Sequence, residues 1–167
     1  MMKKVIVCLF MLLCLCACNN GEASVSGNEK YIDYCDLLSE HSEFIERSEY
    51  FDISTDITPI EDGYRFYVII DNPKVAMYAV EVIAVEDGVD YTKTMAANIG
   101  IFEDTAYTLI PNQANVEQGF VKGISISGIS ENPNPQLKLL IEWSNKDLSF
   151  THREFILVNI DNGEIYE

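Results

Sequence analysis

Residues 64–71 read YRFYVIID, and this stretch decides the fold. Large apolar side chains stand at every second position from Tyr64 to Ile70, and the positions between them begin with Arg65 and end with Asp71. A period of two is typical of a half-buried antiparallel β-strand. The turn-forming residues EDG precede the stretch and DNP ends it, so the sequence predicts one strand between two turns.

The same period recurs from Phe51 onward, most clearly in LKLLIEWS at residues 137–144. Short strands at regular spacing, separated by turns and without helices between them, favour an antiparallel β-sandwich over a βαβ fold. Residues 95–104, MAANIGIFED, show no clear period and could form a short helix, a crossing strand or a loop over one end of the sandwich. The sequence predicts about seven or eight strands, near residues 51–58, 64–71, 75–86, 91–96, 105–110, 120–128, 137–144 and 151–160.

Residues 29–50 have a different period, of three to four. Apolar side chains recur from Tyr31 through Leu38 to Ile45, and acidic residues fill the positions between them. This pattern predicts one amphipathic helix over residues 30–50, ahead of a sandwich domain over residues 51–167. We expect the apolar face of the helix to pack on the sandwich; a spacer or a partner-binding helix is the alternative.

The N-terminus has the pattern of an export signal. Lys3 and Lys4 precede an apolar run, VIVCLFMLLCL, at residues 5–15. This run is too short for the ~30 Å hydrocarbon core of a membrane, which needs about 20 residues. A basic start, a short apolar run and a small-residue cleavage site are typical of a removable signal peptide.

Residues 15–18, LCAC, resemble the lipobox that ends the signal peptide of bacterial lipoproteins. Cys16 departs from that pattern, in which Ser, Ala, Thr or Gly is usual. The resemblance implies removal of residues 1–17, lipidation of Cys18 and attachment to the extracytoplasmic face of the cell membrane. Residues 18–29 would then hold the lipidated cysteine and a flexible tether. An ordinary secretory signal that contains cysteines is the alternative.

The processed chain would be strongly acidic. All 27 acidic residues and nine of the 11 basic residues lie beyond Cys18. The processed chain would therefore have a net charge of 9 − 27 = −18. Nucleic-acid binding depends on Lys and Arg at phosphates, so this class is strongly disfavoured. Electrostatic adsorption to anionic lipid is disfavoured for the same reason. The charge indicates solubility at a crowded surface, or alternatively attraction of divalent cations or basic ligands.

Cys35 is the one cysteine that would remain beside the lipidated Cys18, so the sequence predicts no intramolecular disulfide. A domain of this length can fold on its hydrophobic core alone. We interpret Cys35 as a small apolar side chain. A reactive thiol or an intermolecular partner is the alternative.

Residues 64–160 resemble the immunoglobulin-like or telokin-like sandwiches found in many exported lipoproteins of Gram-positive bacteria. The segments that carry the resemblance are YRFYVIIDNP, MYAVEVIAVEDG, the strand end LIP with its polar loop, and LKLLIEWSN. No cysteine pair accompanies Trp143, so the antibody-type core is absent. The resemblance implies a binding or structural module and says nothing about a ligand.

Signals for a metal site are weak. His41 and His152 have no second His, Cys or carboxylate at ligand spacing, so a transition metal is not expected. Acidic pairs in predicted turns could hold calcium if two such turns share one end of the sandwich, although no complete calcium loop is present. The weak calcium candidates are Asp62, Asp87, Asp90 and Asp104.

Signals for catalysis are equally weak. The chain has no Gly-x-Ser-x-Gly elbow and no glycine-rich phosphate loop. Cys35 and His41 stand about one and a half turns apart on the predicted helix, which points them to different faces. With 27 carboxylates, an acidic pair suited to glycoside hydrolysis can always be found, so such a pair proves nothing.

These observations predict a non-catalytic binding or interaction module in the cell envelope, without a cofactor, whose partner is an envelope protein or a glycan. One alternative is an exported hydrolase or accessory enzyme that uses carboxylates in a loop cleft. The other is a solute-capture protein or structural spacer, whose sign would be a ligand cavity between the helix and the sandwich. Candidate recognition features are the exposed loop at residues 131–135 and, less strongly, Tyr67, Tyr78, Tyr91 and Tyr107.

Overall fold

The computed structural model describes residues 22–91, 93–103 and 105–161. The predicted signal segment, the lipidation site Cys18 and the calcium candidate Asp104 lie outside these ranges. The described part contains one α-helix, nine strands and a 3₁₀ turn at Val116–Gln118. The helix, α1, is Glu22–Glu40, and the strands β1 to β9 are Asp52–Ile60, Gly63–Asp71, Met77–Glu86, Ala97–Ile99, Tyr107–Leu109, Phe120–Val121, Gly123–Ser130, Gln136–Ser144 and Thr151–Asn159.

The strands form two sheets. A three-stranded sheet has the order β1-β2-β7. A six-stranded sheet has the order β6-β5-β3-β8-β9, and β4 also pairs with β3. The paired strands are antiparallel, except β5 and β6, which are parallel. The described chain is therefore mainly β, as the alternating pattern predicts.

Two of the predicted strands are wrong. Residues 91–96 are not a strand, and the connection turns where the N–H of Lys93 donates to the carbonyl of Asp90 at 3.1 Å. β4 takes the place beside β3 instead, within the stretch that shows no period. The predicted strand near residues 120–128 is two strands in different sheets, because the chain crosses between the sheets at Lys122. The described residues therefore hold nine strands rather than seven or eight.

The main hydrophobic core lies between the two sheets. Val68 and Ile70 of β2 pack in one buried cluster with Leu139 and Ile141 of β8. Alternate residues of each strand supply this cluster, which is the physical basis of the period of two. Full burial of such a side chain stabilises the fold by roughly 1.5–3 kcal/mol relative to exposure. The sandwich thus holds together by apolar burial.

The helix covers the other face of the six-stranded sheet. Tyr31, Tyr34 and Leu38, at helical spacing, pack in a second buried cluster with Ile83 of β3. Because this sheet is covered on both faces, residues 82–85 are all buried and β3 shows no alternation. The described residues therefore form three layers, and the expected packing of the helix on the sandwich is confirmed.

The predicted helix boundaries are wrong at both ends. α1 begins at Glu22, within the predicted tether, and ends at Glu40 rather than near residue 50. Beyond it, the N–H of Ile45 donates to Phe155 at 3.0 Å, and its carbonyl accepts from Leu157 at 2.9 Å. Ile45 matches the helical period, but its N–H and carbonyl groups find their hydrogen-bond partners on the edge of β9. A further turn of helix is therefore not needed to satisfy them.

Candidate binding groove

A groove of about 820 Å³ lies between α1 and the connection from β3 to β4. We call it the helix groove. One wall is the face of α1 that runs from Asn28 to Ser39, and the other includes Val89 and Met95 of the connection. Phe102, which follows β4, also lines the groove. A volume of this size is in the range of sites that hold small molecules or parts of larger partners.

Tyr31 ties the two walls together. Its ring centroid lies 5.6 Å from that of Phe102, and its hydroxyl accepts a buried 2.8 Å hydrogen bond from the N–H of Ala96. A buried N–H that lacks a partner is costly, so this bond holds the end of the connection against the helix. Gly27 allows the close approach, since a Cβ there would lie 2.9 Å from Cδ1 of Phe102.

The connection is also braced from within. The hydroxyl of Tyr91 accepts a hydrogen bond from the N–H of Glu86, at the end of β3. The carboxylate of Asp90 pairs with Nζ of Lys93 at 2.8 Å. Tyr91 also lines the groove, so the residue that braces the connection forms part of the groove wall.

A polar network between α1 and β3 positions the helix on the sheet. Glu81 of β3 accepts a 2.6 Å hydrogen bond from the hydroxyl of Tyr34 and another 2.6 Å bond from Nζ of Lys30. Burial, followed by the hydrogen bond to Glu81, raises the pKa of Tyr34, which therefore stays protonated and donates. The helix is thus fixed by directional contacts as well as by apolar packing.

The groove carries a cluster of exposed apolar side chains. Met95 is 65% exposed and Ile32 is 55% exposed, and Val89 and Phe102 are also exposed. Ile129 extends this surface, because it lines a second cavity of about 320 Å³ that shares Val89 and Met95 with the groove. Isolated exposed apolar residues are ordinary, whereas a contiguous group makes this surface a candidate for interaction.

Burial keeps two tyrosine hydroxyls and the thiol of the groove in their neutral forms. Burial raises the pKa of Tyr91 to about 12 and also raises the pKa of Tyr31. Burial likewise raises the pKa of the Cys35 thiol, against the lowering effect of its hydrogen bond with Tyr31. Since the thiolate is the reactive form, Cys35 is a poor nucleophile at neutral pH. It serves the groove as a weakly polar lining group.

The acidic turns named as calcium candidates share one end of the sandwich. Asp62 lies in the β1–β2 turn, and Asp87 follows β3. Ser130 lies close to both regions: a Cβ on Gly63 would lie 2.6 Å from the carbonyl oxygen of Ser130, and the hydroxyl of Ser130 donates to Glu86 at 2.9 Å. Asp87 pairs with Lys138 at 2.6 Å. The described residues contain no group of three or more His, Cys, Asp or Glu side chains that could hold a metal ion.

The two histidines lie in aromatic contacts, apart from each other. His41 stacks on Phe155 with ring centroids 3.6 Å apart and an interplanar angle of 15°. His152 packs against Trp143 with ring centroids 4.4 Å apart. Cys35 lies instead in the helix groove, beside Tyr31. The structure therefore does not bring the thiol and an imidazole together as a nucleophile and its base.

Of the candidate recognition features, Tyr91 lies in the groove, whereas Tyr67, Tyr78 and Tyr107 are half-buried in strands. The loop at residues 131–135 is ordered by hydrogen bonds such as that from the N–H of Asn132 to the hydroxyl of Ser130, at 2.9 Å.

Sequence reasoning missed Ile32, Met95 and Phe102, which are exposed apolar residues that line the groove. For Met95 and Phe102, the available signal was the apolar composition of residues 95–104, which lacks the period that a buried strand would impose.

None of the helices within the described ranges is both long and apolar enough to cross a membrane. No family model matches the chain, and no curated protein matches it. Among solved structures, the X-ray structure of Northeast Structural Genomics Consortium target SoR45 aligns over 74% of this chain and 93% of that chain. The TM-score is 0.41 and the sequence identity is 9%, so the description of the fold rests on the strand pairings alone.

Proposed function

We propose that the chain is a lipid-anchored, extracytoplasmic binding module that holds an envelope partner in the helix groove and performs no catalysis. The observation that carries this proposal is the clustering of exposed apolar side chains, including Met95 and Ile32, around a groove whose walls are fixed by buried hydrogen bonds. A preformed apolar surface of this kind favours binding, because little ordering is needed when the partner arrives.

We further propose that the sandwich is immunoglobulin-like. The order β1-β2-β7 matches strands A, B and E of that fold, and the order β9-β8-β3 matches strands G, F and C. β4 and β5 pair with the free edge of β3, where variable-type domains place extra strands. Domains of this architecture commonly serve recognition, although the fold alone assigns no ligand.

Placement of the reactive side chains supports the non-catalytic part of the proposal. The Cys35 thiol has a raised pKa, and both imidazole rings are packed against aromatic side chains. The acidic turns carry Asp87 and Asp90, each of which forms an ion pair with a lysine. A catalytic carboxylate pair would instead flank an open cleft.

Cross-linking in intact cells tests the binding role. The full chain, its Met95→Ser variant and its Leu148→Ser variant are expressed, cross-linked and purified, and the captured envelope proteins and glycans are identified by mass spectrometry. Met95 and Leu148 are 65% and 64% exposed, so the two variants remove equally accessible apolar groups at different places. We expect Met95→Ser to abolish capture and Leu148→Ser to leave it unchanged. Equal capture by all three chains would refute the groove as the binding surface.

Metabolic labelling tests the anchor separately. A fatty-acid analogue should label the full chain and fail to label the Cys18→Ser variant, which should leave the membrane fraction. Equal labelling of both chains would contradict lipidation at Cys18.

Solute capture is a second candidate, favoured by one observation. The groove of about 820 Å³ lies between the helix and the sandwich and has a volume suited to a small apolar molecule. A small molecule that co-purifies with the full chain and is lost from Met95→Ser would favour solute capture over a macromolecular partner.

A further inference from the structure

We infer that the helix groove accepts a basic amphipathic polypeptide segment, whose apolar side enters the groove and whose cationic side lies along α1. This inference rests on the proposed binding role and specifies the chemistry of the partner. It uses two features together: the exposed apolar groove and the charge pattern of the helix that forms its wall.

An acidic strip borders the groove along α1. Glu29, Asp33, Asp36 and Glu40 follow one another at three- and four-residue steps, so they lie along one side of the helix. All four are exposed, and Asp36 also lines the groove. None of the four forms an ion pair with another residue that the structure describes.

Such a strip is unfavourable for the isolated helix. Like charges at three- and four-residue spacing repel each other, and an acidic side chain at the C-terminal end, such as Glu40, opposes the helix dipole. The last turn of α1 contains no basic residue that would compensate. Cations supplied by a partner would relieve this repulsion, so the strip favours a basic ligand over a neutral one.

The opposite wall does not offer a competing positive charge. Lys93 is the cation of that wall, and it pairs with Asp90 at 2.8 Å. Lys30, which is on α1 but does not line the groove, is bound to Glu81 of β3. An acidic partner would therefore meet like charge on the helix side and a neutralised pair on the other side.

The dimensions of the groove set the length of the partner segment. Its helix wall runs from Asn28 to Ser39, which corresponds to roughly 17 Å of helix axis. A partner helix of about 12 residues spans the same distance and places apolar side chains at three- and four-residue steps on one face. The remaining positions of such a segment would carry the Lys or Arg residues that face the acidic strip.

Synthetic peptides test the inference directly on the full chain in detergent micelles. The first peptide has about 12 residues, with Leu on one helical face and Lys elsewhere. The second has Glu in place of every Lys, and the third has the composition of the first in scrambled order. We expect the first peptide to bind at least about tenfold more tightly than either control, with an affinity that falls as salt screens the charges.

Two double variants locate the charge contribution. Asp33→Asn with Asp36→Asn removes two charges from the strip, whereas Asp62→Asn with Asp71→Asn removes two exposed charges from the sandwich. We expect the strip variant to lose affinity for the lysine peptide severalfold and the sandwich variant to retain it. Equal loss in both, or equal binding of the lysine and glutamate peptides, would overturn the inference.

The outcomes also separate this inference from the proposed binding role. If the lysine peptide fails to bind while Met95→Ser still abolishes capture in cells, the charge inference is wrong and the binding role stands. If the lysine peptide binds through the strip while no partner is captured in cells, the groove has the inferred preference and the proposed envelope role is wrong.

Discussion

Replacing Tyr31 with Phe removes one hydroxyl and should loosen the wall of the helix groove. That hydroxyl accepts the buried 2.8 Å hydrogen bond from the N–H of Ala96. Phe keeps the ring that packs near Phe102, so the substitution isolates the hydrogen bond. An orphaned buried donor costs about 1–3 kcal/mol, and about 1.4 kcal/mol corresponds to a tenfold change in an equilibrium constant. The opening equilibrium at Ala96 should therefore rise about 5- to 150-fold.

Amide hydrogen exchange of the purified chain measures this opening. We expect exchange at Ala96 and its neighbours in the β3–β4 connection to accelerate by that factor, while exchange in β8 changes little. Tyr67→Phe is the matched control, because Tyr67 is half-buried in the other sheet and its hydroxyl forms no hydrogen bond with a described residue. Unchanged exchange at Ala96 in Tyr31→Phe, or equal acceleration in both variants, would refute the role of this bond.

Three further predictions concern stability. Leu38 of α1 is fully buried against the six-stranded sheet. Leu38→Ala should therefore lower the free energy of unfolding by about 2–5 kcal/mol in denaturant titrations. A smaller loss would mean that α1 does not stabilise the sandwich. Oε2 of Glu154 is buried without a hydrogen-bond partner among the described residues. Because Leu removes this unsatisfied polar atom, Glu154→Leu should raise the free energy of unfolding by about 1–3 kcal/mol. A destabilised variant would contradict this. Folding raises the pKa values of Cys35 and Tyr31, and it raises the pKa of Tyr91 to about 12. In the unfolded chain these groups have pKa values of about 8.5–10. Because the folded state favours their protonated forms, their contribution to stability is complete below the unfolded pKa values and is lost as the pH rises through the folded values. Stability measured by denaturant at pH 8 and above should therefore decline from about pH 9, with helix loss in circular dichroism, and a flat profile up to pH 11 would contradict it.

The sheets were largely predictable because their period follows from one-sided burial. Residues 64–71 alternate since one face of β2 packs on the inter-sheet core, and this pattern located both of its turns. The face of α1 that packs on the sheet was predictable for the same reason, from the spacing of Tyr31, Tyr34 and Leu38. Periodicity therefore identified the elements that bury a single face.

The remaining differences arise where tertiary contacts override local pattern. Ile45 continues the helical period, but its backbone pairs with the edge of β9, which no local signal reveals. The chain crosses between the sheets at Lys122, so that β6 and β7 lie in different sheets although a single residue separates them.

The residues that line the groove escaped sequence reasoning, apart from Tyr91, because the groove depends on contacts between distant segments. Met95 and Ile32 come together through the bond between Tyr31 and Ala96, which joins residues far apart in the chain. Neither residue belongs to a motif, and the unpatterned apolar composition around Met95 does not by itself show which side chains are exposed. Only the packed structure identifies them as one surface.

The most direct test of the groove as a binding surface is site-specific photo-cross-linking in intact cells. A photo-reactive amino acid is placed at position 95 in one strain and at position 148 in another, since Met95 and Leu148 are equally exposed. We predict a single saturable cross-linked product from position 95 and none from position 148. Products of equal yield from both positions, or a product from position 148 alone, would contradict the assignment of the helix groove.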